Sequence, residues 1–339
     1  MEKRRNAVAS APTKLILFGE HFVVYGAPGI AIPIGLRNYV EVELVSGEPG
    51  FELFWAGRRI GVDTEGVVGG DYGLRAFGAA YKFLLGRNLA RDARFKAIVR
   101  EGGACKGMGN SSSIGAALGL ALAEAGGFGI SNEDVFECAQ CVDEVAHGGR
   151  PSGIDARTVV EGKIQKFVRR FSPDSFGFEE IVFELPDEYG FVVIDTFKGR
   201  RSTTGALVKT FGCSVGAPDG PKSISNEQRE LITGPYVKMY NSVVEHIRGG
   251  NVRALGDSMN RNHELLLRRG VSTEDIEYVR RTCLDIGVFG VKISGAGGLG
   301  GAVLVLARDD DIEEIIDRIK GIGFNAFGVN VAEKGVCLE

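Results

Sequence analysis

Four glycine-rich segments, spread along the chain, constrain it more than any other feature. They read PTKLILFGEH at 12–21, GMGNSSS at 107–113, HGGRPSGID at 147–155 and KISGAGGLGG at 292–301. Glycine reaches backbone conformations closed to other residues and lets a ligand approach the main chain. Segments so far apart, carrying Lys, Glu, His, Ser and Asp, require a fold that gathers them at one place. No repeat of 20–50 residues and no low-complexity tract competes with that reading.

The segment at 107–113 lies between a predicted strand (95–99) and a predicted helix (114–125). The first amides of a helix lack partners within it, and the helix dipole favours an anion there. Gly107, Met108, Gly109, Asn110, Ser111 and Ser112 are therefore candidate phosphate contacts. A plain capped turn is the alternative. Gly295, Gly297 and Gly300 match the dinucleotide fingerprint by letter. That fingerprint must run into a helix, whereas here a strand-like run, 302–306, follows. Gly295, Ala296 and Gly297 read instead as a second glycine wall beside a nucleotide, or as a hairpin-like turn. No G-x-x-x-x-G-K-[ST] is present, so the chain is not a P-loop enzyme.

Lys14 stands in or beside an apolar strand (14–18), either snorkelling at an edge or as a positioned cation. Asp155 closes a short loop and can orient or deprotonate a hydroxyl; a turn or cap is its plainer reading. Glu144 lies on the flank opposite the apolar stripe of Val135, Cys138, Val142 and Val145, where a solvated helix face is the plainer reading. His21 is equally readable as a hydrogen-bonded structural histidine. Phosphate loops with Lys and Asp point to phosphoryl transfer onto a small molecule.

Composition narrows the partners. The 339 residues are 44% apolar, with net charge −4 and pI about 5.8. That balance argues against nucleic acid or an anionic membrane as main partner. The four histidines lack metal-site spacing, and Asn262-His263-Glu264 is not H-E-x-x-H. The lone C-x-x-C of Cys138 and Cys141 sits in a helical pattern and reads as buried small residues. The longest apolar run, 114–123, is too short to span a bilayer, and the polar start does not read as a signal peptide. The expectation is a soluble cytoplasmic protein.

Alternation at 39–45 predicts a strand with one wet face. Helical patterns cover 73–85 and a segment from Ser131, where Ser131-x-x-Asp134 resembles a capping box. Residues 191–195 predict a strand. Residues 227–286 predict helices, with breaks at 234–235 and 249–250. Ile312, Ile315, Ile316 and Ile319 make a helical face. The softest boundary lies near Pro186, so domains are expected at 1–187 and 188–339.

These segments together resemble the GHMP kinases, the family named for galacto-, homoserine, mevalonate and phosphomevalonate kinases. The match is carried by KLILFGEHFVVYG at 14–26, PSGID at 151–155, STTGALV at 202–208 and MNRNHELL at 259–266, in the family's order. Within the family the likeness is to the members that phosphorylate mevalonate. The resemblance implies an α+β fold, with a ribosomal-S5-like N-terminal ATP-binding domain and a ferredoxin-like C-terminal domain. It implies ATP and Mg2+, with transfer to the 5-hydroxyl of mevalonate, a step of isoprenoid biosynthesis. A sister kinase acting on an already phosphorylated mevalonate is the alternative; a related decarboxylase or a silent sensor is less favoured. Lys14 and Asp155 match the catalytic pair, Glu20 and His21 the substrate side, and Ser111 and Glu144 the magnesium ligands. A homodimer is also implied. The chain departs from the pattern at Asn110, where a serine is usual, and in one extra residue before Pro151. Arg150, Arg157, Arg200 and Arg201 are extra cations, read as a salt-bridged rim or as holders of a second phosphate.

Overall fold

The computed structural model describes residues 6–63, 67–147, 151–171, 174–183, 185–197, 204–298 and 300–339. The chain opens with β1 (Asn6–Phe18) and β2 (Gly29–Val45), a long antiparallel pair. β3 (Gly50–Trp55), β4 (Arg58–Val62), β5 (Val67–Gly70), β6 (Arg94–Arg100), β7 (Gln165–Phe171) and β8 (Asp174–Glu180) extend it into one sheet. Helices α1 (Gly78–Gly86), α2 (Asn110–Gly126), α3 (Asn132–His147) and α4 (Ile154–Glu161) pack on it around a core that includes Val40, Phe51, Phe95, Ile114, Leu118 and Val142.

A second sheet holds β9 (Tyr189–Asp195), β10 (Gly290–Ser294), β11 (Ala302–Arg308) and β12 (Asn325–Val329), ordered β10-β11-β9-β12 and antiparallel throughout. Helices α5 (Thr204–Ser214), α6 (Asn226–Arg248), α7 (Val252–Leu267), α8 (Glu274–Ile286) and α9 (Ile312–Gly321) accompany it. The final strand, β13 (Cys337–Leu338), returns to the first sheet and pairs with β1. One apolar core joins the sheets, with Leu15, Leu17 and Phe18 packed in the same cluster as Val193, Ile293 and Val303. Among the described residues, no helix is long and apolar enough to cross a membrane.

One expected break is absent. Residues 234–235 lie inside α6, which carries Pro235 through without ending. Pro235 is solvent-exposed, so water can satisfy the carbonyl left without an amide. The buried stripe of Ile232, Tyr236, Met239, Tyr240 and Val243 continues across it and holds the helix by packing. The expected break at 249–250 does separate α6 from α7.

Two features of the first sheet shape the site. The β1–β2 register shifts between Pro12 and Thr13, just before Lys14. Lys14 lies opposite Pro33, and its N–H donates instead to Met108 O at 2.9 Å. Across the helix layer, Gly115 and Gly119 of α2 face Val142 and Cys138 of α3. A Cβ on Gly119 would lie 2.7 Å from Cys138 Sγ. Bare glycines thus let α3 come close to α2, which carries Asp143 against the start of α2.

Candidate active site

The four glycine segments line one cleft of about 960 Å³ between the two sheets. On one wall, Gly109 (φ 71°) caps the start of α2, so the first amides of that helix face the cleft. Gly109 also has Lys14 beneath it: a Cβ there would meet Lys14 Cγ and Cε at 2.9 Å each. Gly107 abuts the second glycine loop, where a Cβ on Gly295 would come 3.5 Å from Gly107 O. Gly107, Gly109, Asn110, Ser111, Gly295 and Ala296 all line the cleft. Met108 is buried beneath it, Ser112 is buried against Asp143, and Gly297 packs on Val271.

At the floor, Lys14 Nζ sits 2.9 Å from the Asp155 carboxylate and donates to Gly107 O at 3.4 Å. The lysine side chain is 3% exposed and the aspartate 23%, so the carboxylate keeps an open side toward the cleft. Asp155 lies in the first turn of α4, which starts at Ile154 behind Gly153, whose φ of 81° suits a residue without a side chain.

Ser111 and Glu144 do not converge. Ser111 Oγ donates to Asp143 Oδ1 at 2.6 Å, and Ser112 Oγ donates to Asp143 Oδ2. Glu144 is solvent-exposed on the far flank of α3. Neighbouring residues on a helix point about 100° apart, so Asp143 and Glu144 face different ways. Neither carboxylate falls on the apolar stripe, so its spacing alone did not choose between them. Burial raises the Asp143 carboxyl to about 6, with Asp155 adding to the rise, while His147 and the two serine hydroxyls oppose it.

At the other end, Glu20 and His21 lie in a 3-10 turn, Glu20–Tyr25, entered through Gly19 at φ 111°. Glu20 pairs with Lys292 of β10, and both side chains are fully buried. Burial pushes Glu20 up and Lys292 down, and each partner opposes the other's shift. The His21 Nε2–H donates to Ala296 O at 2.9 Å, and the ring stacks on Phe211 at 4.7 Å. Burial lowers its pKa. Lys292 was not picked out by the sequence reading, although a lysine in the apolar run GVKIS was visible. Ser294 was also missed; its Oγ accepts from Ile16 N at 2.9 Å.

Of the extra arginines, Arg157 is engaged. It pairs with Glu133 at 2.8 Å and Glu161 at 3.3 Å and lies 3.8 Å over the Phe136 ring. Arg150, Arg200 and Arg201 lie outside the described residues. Cys138 is buried, Cys141 half-buried, and both are free.

The family models for the GHMP kinases N terminal domain and the GHMP kinases C terminal match residues 77–163 and 243–324. The chain belongs to the GHMP kinase family. It is a kinase with an alcohol as acceptor, and ATP is the family's phosphoryl donor. Full-length likenesses agree. A mevalonate kinase of Pyrococcus furiosus is 28% identical, covering 98% of each chain. One of Aeropyrum pernix is 28% identical, covering 99% of each. Among solved structures, L. major mevalonate kinase in complex with R-mevalonate superposes with TM-score 0.77 at 23% identity, covering 99% of this chain and 97% of the other. Lactococcus lactis galactokinase complexed with galactose reaches the same TM-score at 17% identity, with coverage of 98% and 95%. These structures establish the GHMP kinase fold.

Proposed function

We propose that this kinase transfers the terminal phosphoryl group of ATP to the 5-hydroxyl of mevalonate. The observation that carries the reading is the Lys14–Asp155 pair at 2.9 Å, lying directly under the glycine-capped start of α2. A carboxylate open to the cleft accepts the hydroxyl proton, early or late in transfer. Lys14 steadies the developing alkoxide. Amides of 107–111 hold the triphosphate, with Gly295 and Ala296 closing the opposite wall. Glu20 and His21 bind the acceptor molecule.

The residues present fit magnesium. Ser111 Oγ and a buried Asp143 carboxylate meet at the cleft edge, a hard oxygen pair of the kind magnesium takes together with nucleotide phosphates. When bound, the ion neutralises phosphate charge. Asp143, rather than Glu144, supplies the carboxylate. Relatives named mevalonate kinase over nearly the whole chain support the substrate. The same reading makes the enzyme cytoplasmic and homodimeric, with its N-terminal domain at 1–187 and its C-terminal domain at 188–339.

One assay tests it: ADP release with mevalonate, mevalonate 3-phosphate and mevalonate 5-phosphate offered separately. Mevalonate should be turned over fastest. Faster turnover of either phosphate would reassign the substrate and leave the phosphoryl-transfer machinery in place. Light scattering in solution tests the dimer.

A further inference from the structure

The buried pair of Glu20 and Lys292 joins the turn after β1 to β10, and so joins the two sheets. Apolar residues of similar volume hold such an interface at least as well as a sealed ion pair. The partners are also used unequally. The Lys292 ammonium has three donors, and all three are engaged: Glu20 Oε1, Ile16 O at 3.3 Å and Ile293 O at 2.6 Å. Glu20 is half used. Its Oε2 is buried without a partner, and the residue lines the cleft. His21 repeats the pattern, with Nε2 given to Ala296 O and Nδ1 buried without a partner. Two buried acceptors without partners thus belong to neighbouring residues that both line the cleft.

We propose that Lys292 is a positioning residue for the acceptor alcohol: it fixes Glu20 so that Oε2 receives a substrate hydroxyl. The inference deepens the alcohol-kinase reading above and rests on it for the identity of the substrate. Lys292 engages both layers at once, through Ile16 O on β1 and through its own strand, which leads into the glycine loop at 295–297. Removing the ammonium leaves a buried carboxylate without a counter-charge, and such a group takes a proton. The hydroxyl acceptor is then lost while the nucleotide wall stands.

The test compares Lys292→Met with the pair variant Glu20→Gln/Lys292→Met, which leaves no buried charge unpaired. Michaelis constants for mevalonate and ATP are measured separately, with melting temperatures and infrared spectra of the carboxyl groups. Lys292→Met should raise the mevalonate constant by roughly 10–100-fold and leave the ATP constant within about threefold. A protonated carboxyl band absent from the unaltered enzyme should appear. The pair variant should regain the melting temperature but not the affinity for mevalonate. Recovery of normal mevalonate affinity in the pair variant would reduce the ion pair to a structural brace and overturn the proposal. An equal rise for both substrates, or no new carboxyl band, would overturn it too. If Lys292→Met does not fold, the pair variant decides. If the unaltered enzyme does not turn over mevalonate, the substrate assignment fails, and the infrared and melting measurements still test how Lys292 holds Glu20.

Discussion

Lys14 of β1 and Asp155 of α4 meet at 2.9 Å with the lysine sealed and the aspartate open on one side. The lysine is pinned from above by Gly109 and through its own amide by Met108 O. The lysine is thereby held from two separate parts of the chain, the loop at 107–109 and Asp155. The carboxylate is the member free to meet substrate.

Replacing Asp155 with Asn keeps the shape and removes the proton acceptor. The expected result is a fall in kcat of about 10²–10⁴-fold with ATP affinity little changed. Steady-state kinetics and calorimetric titration of ATP check it. Near-normal turnover would remove Asp155 from the chemistry, and lost ATP binding would make it structural.

Asp143 ties metal binding to stability. Its carboxyl is raised from 3.8 to about 6, with burial the leading cause. The native chain therefore holds this proton more tightly than the unfolded one. The resulting stability is complete below about pH 4 and is lost as pH rises through about 6. A shift of roughly two units corresponds to about 3 kcal/mol. Without magnesium, Asp143→Asn should melt above the unaltered chain at pH 8, and the gap should close near pH 4. The same variant should need much more magnesium for turnover. Glu144→Gln should stay within about twofold of normal. A larger magnesium defect in Glu144→Gln than in Asp143→Asn would reverse the assignment.

Gly109→Ala forces a side chain into a left-handed conformation and onto Lys14. The backbone alone costs about 1–2 kcal/mol. Lower melting temperature together with weaker ATP binding is expected, by thermal denaturation and calorimetry. An unchanged ATP affinity would move the triphosphate away from this loop.

Arg157→Ala tests the rim. Its guanidinium is committed to Glu133, Glu161 and the Phe136 ring. The mevalonate Michaelis constant should change less than about threefold, while stability falls by about 1–2 kcal/mol from the lost stacking and packing. A large rise in the Michaelis constant would place Arg157 at the substrate.

Local pattern was enough for much of the molecule. Glycine-serine chemistry before an Ala/Leu-rich run marked the start of α2, and the isoleucine period marked α9. The motifs at 14–26 and 151–155 identified the family, because spacing of that kind survives in the linear chain. Pro235 misled, since a proline read alone ends a helix, and only the buried stripe beneath it shows why α6 continues. The tertiary structure alone decided which carboxylate meets Ser111: two neighbours on α3 differ by one residue in sequence but by about 100° around the helix. It alone decided the partner of Glu20 as well. Lys292 is remote in the chain, and the two meet because β1 and β10 share one core, where both charges are sealed from water against each other.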